Sequence, residues 1–154
     1  MRRVFEKFVR NFFFRRQHGF AVKKDRMEWH GSAVEGSNLN LLPQMETDVT
    51  LRSADRTIVI ECKYTQSIYQ KRFFADKLRS AHLYQLSSYL RNFENRPTPD
   101  SFAEGILLYP SAGIELDQSY LLHNHRIRIK TIDLNQPWPR IEDAMLALLK
   151  PVSN

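Results

Sequence analysis

Thr47-Asp48-Val49-Thr50-Leu51-Arg52-Ser53-Ala54-Asp55-Arg56-Thr57-Ile58-Val59-Ile60-Glu61-Cys62-Lys63-Tyr64 is the stretch that decides the fold. Polar and apolar residues alternate over 47–52, and β-branched residues dominate 57–64, so both segments read as strands. Ser53 to Arg56 form a short connection that makes the pair a hairpin. Side chains alternate faces along a strand. Val49, Leu51, Ile58, Ile60 and Cys62 can therefore line a core, which places Asp48, Glu61 and Lys63 together on the opposite face.

Strands disfavour Asp, Glu and Lys. Two neighbouring carboxylates repel, and one is pushed towards protonation unless a cation lies between them. A hard divalent ion, Mg²⁺ or Mn²⁺, takes oxygen ligands and keeps several waters. Asp48, Glu61 and the backbone carbonyl of Cys62 form a candidate metal set, with Lys63 placed to orient a water or to neutralise developing charge. Spacing alone leaves a second reading open: Asp48 paired with Lys63 or Arg52 on a solvated sheet face, where ion pairs contribute only about 0–1 kcal/mol.

Outward from the hairpin, Phe5, Phe8, Val9, Phe12 and Phe13 recur at helical spacing and predict a helix over residues 2–16. Residues 26–30 read as a short strand around Trp29, which is assigned to the core. A loop closed by Pro43 follows. A long helix is expected from Phe74 to Phe93, then a buried strand from Ala103 to Tyr109 and a turn at Pro110 and Gly113. A strand from Arg126 to Ile132 comes next, followed by an amphipathic helix over 139–150. His123 and His125 are placed on one strand face without a third ligand, and His82 on a helix surface. The order α-β-β-β-α-β-β-α predicts an α/β (mixed α+β) domain, with a mixed sheet flanked by helices.

The 154 residues fit a single domain, 1–154, large enough for an ordinary core. The formal net charge of +6 argues for an anionic partner. Arg2, Arg3, Lys7, Arg10, Arg15, Arg16, Lys23, Lys24 and Arg26 make a basic N-terminal segment that is a candidate nucleic-acid contact, with Arg10, Arg15, Arg16, Lys23 and Lys24 as its chosen contacts; a solvated helix face plus a basic loop explains it equally. Cys62 is the single cysteine, which excludes an intrachain disulfide and a cysteine-based zinc site, and a reducing cytoplasm is the expected compartment. No apolar run approaches a bilayer span, so no membrane role is expected.

The run Leu42-Pro43-Gln44-Met45-Glu46-Thr47-Asp48, leading through Arg56 into Ile60-Glu61-Cys62-Lys63-Tyr64, resembles the McrC family, the nuclease subunits of prokaryotic McrBC modification-dependent restriction systems. Phe5-Glu6-Lys7-Phe8-Val9-Arg10-Asn11-Phe12 resembles that family's first catalytic-domain helix. Leu83-Tyr84-Gln85-Leu86-Ser87-Ser88-Tyr89-Leu90 resembles its later Q-x-x-x-Y helix. The resemblance implies a PD-(D/E)xK restriction-endonuclease-like fold and a Mg²⁺-dependent DNA endonuclease. Asp48 and Glu61 would be metal ligands and Lys63 the catalytic lysine. Gln85 and Tyr89, one helical turn apart, would lie beside the site to steady the lysine or touch DNA. Thr47 stands where the family pattern usually has Pro. Glu6 is a possible accessory carboxylate, with a salt bridge to Arg3 or Arg10 as the alternative.

Members usually carry a further N-terminal region engaging McrB, a GTP-driven AAA+ motor, whereas this sequence opens almost at the catalytic-domain helix. An McrB-like motor is thus an expected but unsecured partner, and a homodimer is a further expectation. No G-x-x-x-x-G-K-[ST] run occurs, so nucleotide hydrolysis is expected of a partner. The competing functional readings are a catalytically inactive nuclease-fold subunit that binds nucleic acid and an interaction subunit built on the basic helix.

Overall fold

The computed structural model describes residues 2–64, 81–111 and 115–151. Its element order is α1 (Arg2–Arg16), β1 (Ala21–Lys23), β2 (Arg26–Met27), β3 (Met45–Glu46), β4 (Val49–Arg52), β5 (Thr57–Cys62), α2 (Ala81–Phe93), β6 (Glu104–Ser111), β7 (Asp117–Leu122), β8 (His125–Asp133) and α3 (Trp138–Ala147). Six strands form one sheet in the order β1-β4-β5-β6-β8-β7, and β2 pairs with β3 in a two-stranded ribbon. The β5–β6 and β6–β8 pairs are parallel and the other pairings are antiparallel. This is the mixed α/β architecture expected of a PD-(D/E)xK-like domain.

The sheet is covered on both faces, so its central strands are apolar on both sides. On one face Phe5, Val9, Phe12 and Phe13 of α1 and Ile141, Met145 and Leu148 of the C-terminal segment pack on Val49, Leu51, Ile58, Ile60 and Cys62. The hairpin residues are the set predicted to line a core. On the other face Leu86, Tyr89, Leu90 and Phe93 of α2 pack on Val59, Leu107, Ile127 and Ile129. Gly105 of β6 decides how close α2 comes: a Cβ there would lie 2.9 Å from Leu86 Cδ2 and 3.0 Å from Leu90 Cδ1. The missing side chain lets α2 settle onto the sheet.

Several expectations are corrected. The strand expected over 26–30 is only Arg26–Met27, and Trp29 is 39% exposed, not core. Its indole N–H donates to the Pro43 carbonyl at 2.8 Å, so the ring pins the intervening loop. The strand predicted to end at Tyr109 continues through Pro110 to Ser111. Lys63 N–H donates to the Leu108 carbonyl; by backbone alternation Pro110 then faces the side of β5, which has already ended, so its missing N–H forfeits no ladder bond. Gly113 lies outside the described residues, as does the part of the expected 74–93 helix that precedes residue 81. Strand β7 was not anticipated because it is an edge strand with an exposed, weakly alternating sequence. His123 and Asn124, at φ of 50° and 67°, form the two-residue turn between β7 and β8. His123 is therefore in a turn and does not share a strand face with His125, which is buried and bonded to the Ala103 carbonyl and to Glu94. His82 is partly buried, with Nδ1 2.9 Å from the Tyr109 hydroxyl.

Candidate active site

β4 begins and β5 ends at the same end of the sheet, and the polar residues of the deciding stretch meet there. Val49 pairs with Ile60, so Asp48 lies alongside Glu61. The backbone ties them together: Asp48 N–H donates to Glu61 Oε1 at 3.0 Å, and Cys62 N–H donates to Asp48 Oδ2 at 2.8 Å. Lys63 Nζ lies 3.8 Å from Glu61 Oε2. Its ammonium donates to Gln85 Oε1, and Gln85 Nε2 donates to the Tyr89 hydroxyl at 2.9 Å. The helix packed over Gly105 thus reaches the strand lysine through a two-link chain. Tyr89 is buried with its hydroxyl on Gln85.

Burial dominates the electrostatics. It pushes the Glu61 carboxyl up to about 8, with the neighbouring Asp48 charge adding to the effect. Asp48 is pushed up to about 6 by burial, against the pull of the Cys62 N–H and with Glu6 raising it further. Burial lowers the Lys63 ammonium, opposed by Glu61. Glu6, on α1, approaches from the other side of the strand end. Burial pushes its carboxyl up, but Lys24 at 3.0 Å, with Arg10 at 3.8 Å, overcomes this and holds it low. Its ion pairs are with Lys24 and Arg10; Arg3 makes none among the described residues.

These residues fit a hard divalent cation. Glu61 Oε2 is buried with no hydrogen-bond partner, and both carboxylates are raised as expected where a positive charge is wanting. Since Lys63 N–H turns to β6, the Cys62 N–H and carbonyl both turn to the side of β4, where the N–H already meets Asp48. Among the described residues no three His, Cys, Asp or Glu side chains converge on one point. The protein share of such a site is then two carboxylates and a carbonyl, the remainder being water, which suits Mg²⁺. The Cys62 thiol itself is buried on the α1 face, and burial pushes it well above its usual range, so it is no ligand.

Arg52 does not pair with Asp48. Its guanidinium meets Asp25 at 2.5 Å and Asp100 at 3.0 Å, behind the hairpin. Asp25 in turn fixes the residue before Asp48. Thr47 N–H donates to the Asp25 carbonyl at 2.8 Å, Asp25 N–H donates to Thr47 Oγ1 at 2.9 Å, and Thr47 Oγ1 lies 2.8 Å from Thr50 Oγ1. A proline at Thr47 could make none of these bonds. The partners of Thr47 and Arg52 were not legible in the sequence, because Asp25 and Asp100 are remote from the hairpin in the chain.

Of the basic residues singled out, Arg10 and Lys24 are at the site; Arg10 Nη1 donates to the Asp48 carbonyl at 3.3 Å. Arg15 and Arg16 occupy the far end of α1, with Arg16 lying 5.6 Å over the Trp138 ring. Lys23 is exposed, 3.8 Å from Asp25. Arg2, named in the sequence only as part of the basic segment, also sends its charge to Glu61, Lys63 and Tyr89. No helix among the described residues is long and apolar enough to cross a membrane.

A family model described as McrBC 5-methylcytosine restriction system component matches residues 1–110. The chain is also similar to the type IV methyl-directed restriction enzyme EcoKMcrBC of Escherichia coli (strain K12), at 32% identity over 143 residues. That alignment covers 93% of this chain and 40% of the relative, so the chain spans well under half the relative's length. The match includes the hairpin and Q-x-x-x-Y segments whose geometry is described above. The chain belongs to the McrBC family of 5-methylcytosine restriction system components, as a member of its McrC branch.

Proposed function

We propose that this chain is a metal-dependent DNA endonuclease domain of a restriction system and that it hydrolyses phosphodiester bonds at the Asp48–Glu61–Lys63 centre. One observation carries the reading: two buried carboxylates and a buried ammonium share one strand end, with Glu61 Oε2 left without a hydrogen-bond partner. Asp48, Glu61 and the Cys62 carbonyl would hold Mg²⁺ or Mn²⁺, which when bound supplies Lewis acidity at the phosphoryl oxygens. Lys63 Nζ offers a proton and a positive charge beside the reacting phosphate. Gln85 fixes that ammonium and Tyr89 fixes Gln85, so the charge is aimed before substrate arrives. Arg10 and Lys24 hold Glu6 ionised next to Asp48, which keeps that flank polar.

The relative is named as a methyl-directed restriction enzyme. By that likeness the substrate is DNA, selection of the methylated site rests with other parts of the assembly, and an McrB-like motor is the partner. The test is cleavage of methylated plasmid with and without Mg²⁺ or Mn²⁺, in the presence of a cognate motor. Wild type should cut only with metal, and Asp48→Ala and Lys63→Ala should lose cutting while still binding DNA. Absence of metal-dependent cutting by wild type beside its motor refutes the reading.

A further inference from the structure

Phe5, Val9, Phe12 and Phe13 commit one face of α1 to the core. The adjoining face, with Arg2, Arg3, Glu6, Lys7 and Arg10, joins Lys24 in lining an open groove of about 760 Å³. The charges in this groove are unbalanced. Among the described residues Glu6 is its single carboxylate, already engaged by Lys24 and Arg10. Lys24 is shared further with Glu46 at 3.3 Å. Among the described residues Arg2, Arg3 and Lys7 enter no salt bridge, and all three are exposed. Helix stability does not explain Arg2 and Arg3, since cations in a first turn oppose the helix dipole by roughly 0.3–1 kcal/mol each. The groove also leads somewhere: Arg10, which lines it, bonds the Asp48 carbonyl at 3.3 Å.

We infer that Arg2, Arg3 and Lys7 form a phosphate track that seats the backbone of duplex DNA and delivers it to the Asp48–Glu61 end. The inference rests on the nuclease reading for its substrate but not for its binding measurement. From Arg2 to Arg10 the helix rises about 12 Å at ~1.5 Å per residue, long enough for several phosphates spaced ~3.4 Å along the axis of one strand. Arg15 and Arg16 fall outside the groove, with Arg16 committed to the Trp138 ring. The basic segment therefore divides into a gripping half and a structural half.

The experiment is duplex oligonucleotide binding, measured by fluorescence anisotropy without divalent metal over a range of salt concentrations. The proteins are wild type, the triple variant Arg2→Gln/Arg3→Gln/Lys7→Gln and the control Arg15→Gln/Arg16→Gln. Each phosphate neutralised contributes about 0.9 to the slope of log K against log salt. The triple variant should lose about 2–3 from that slope, and the control should keep the wild-type value. Equal urea midpoints would show that the exposed substitutions leave the fold intact. A triple-variant slope within ~0.5 of wild type, or equal flattening in the control, overturns the track. So does competition by polyglutamate that is lost in the triple variant while its DNA slope is unchanged, because the groove would then be a protein-docking site. A lost slope together with a wild type that cuts nothing keeps the track and sinks the nuclease reading. Cutting with an unchanged slope does the reverse.

Discussion

Thr47→Val removes one hydroxyl and little volume, at a fully buried position directly before Asp48. The hydroxyl oxygen accepts from Asp25 N–H at 2.9 Å and meets Thr50 Oγ1 at 2.8 Å. Valine leaves the Asp25 amide without an acceptor in a buried setting, which costs roughly 1–3 kcal/mol, and the displaced Thr50 hydroxyl adds to that end of the range. Thr50→Val should cost less, about 0.5–1.5 kcal/mol, because Thr47 keeps its bond from Asp25. Thr47→Ser retains the oxygen and should recover most of the loss. Thr47→Pro should be worse than Val although proline is usual at this place in the family, since it also deletes the 2.8 Å bond from Thr47 N–H to the Asp25 carbonyl. Urea denaturation at constant m-value measures each difference. A Thr47→Val protein within ~0.5 kcal/mol of wild type, or a proline variant as stable as wild type, would refute the claim that this latch holds the residue before Asp48.

Glu61, pushed from 4.5 to about 8, and Asp48, from 3.8 to about 6, both bind protons more tightly when folded. Their contribution to stability should therefore be lost as pH rises through about 3.8 to 8, by linkage. Metal-free thermal melts of Glu61→Gln should show less of this decline, and a wild-type profile superimposable on that variant's would contradict the burial argument. Mg²⁺ should raise the wild-type Tm at pH 8 and leave that of Glu61→Gln nearly unchanged; an equal rise in both would remove Glu61 from the metal site. Arg52→Gln removes the guanidinium shared by Asp25 and Asp100, leaving Asp100 to Thr57 and Arg96 and Asp25 to Lys23; it should destabilise by roughly 1–3 kcal/mol, read by urea midpoint, with a loss under ~0.5 counting against the clamp. Gly105→Ala should cost about 1–3 kcal/mol by lifting α2 off the sheet, and cleavage assays should show a lower kcat as Gln85 withdraws from Lys63.

Strand alternation made the hairpin legible. A period of two has one solution once Val49, Leu51, Ile58, Ile60 and Cys62 are assigned inward, and it carries Asp48, Glu61 and Lys63 to the other face. The helical stripe of α1 was equally readable, because Phe5, Val9, Phe12 and Phe13 repeat at the helix period. Short elements escaped. β1 and β3 span three and two residues, too few for a period to show. Trp29 misled because a large aromatic is usually buried, whereas here its N–H ties down a loop.

The sequence by itself determined which residues share the strand end and, through family likeness, what chemistry to expect there. Only the tertiary structure decided how those residues are held. Asp25 and Thr47, Arg52 and Asp100, and Lys63 and Gln85 are each separated by at least 22 positions in the chain. Such pairs leave no periodic trace, because hydrogen bonds between remote segments depend on how helices and strands pack. Packing also separated Arg2, Arg3 and Lys7 from Arg15 and Arg16, which composition alone cannot distinguish. One end of a single helix faces the carboxylates, and the other is engaged with Trp138.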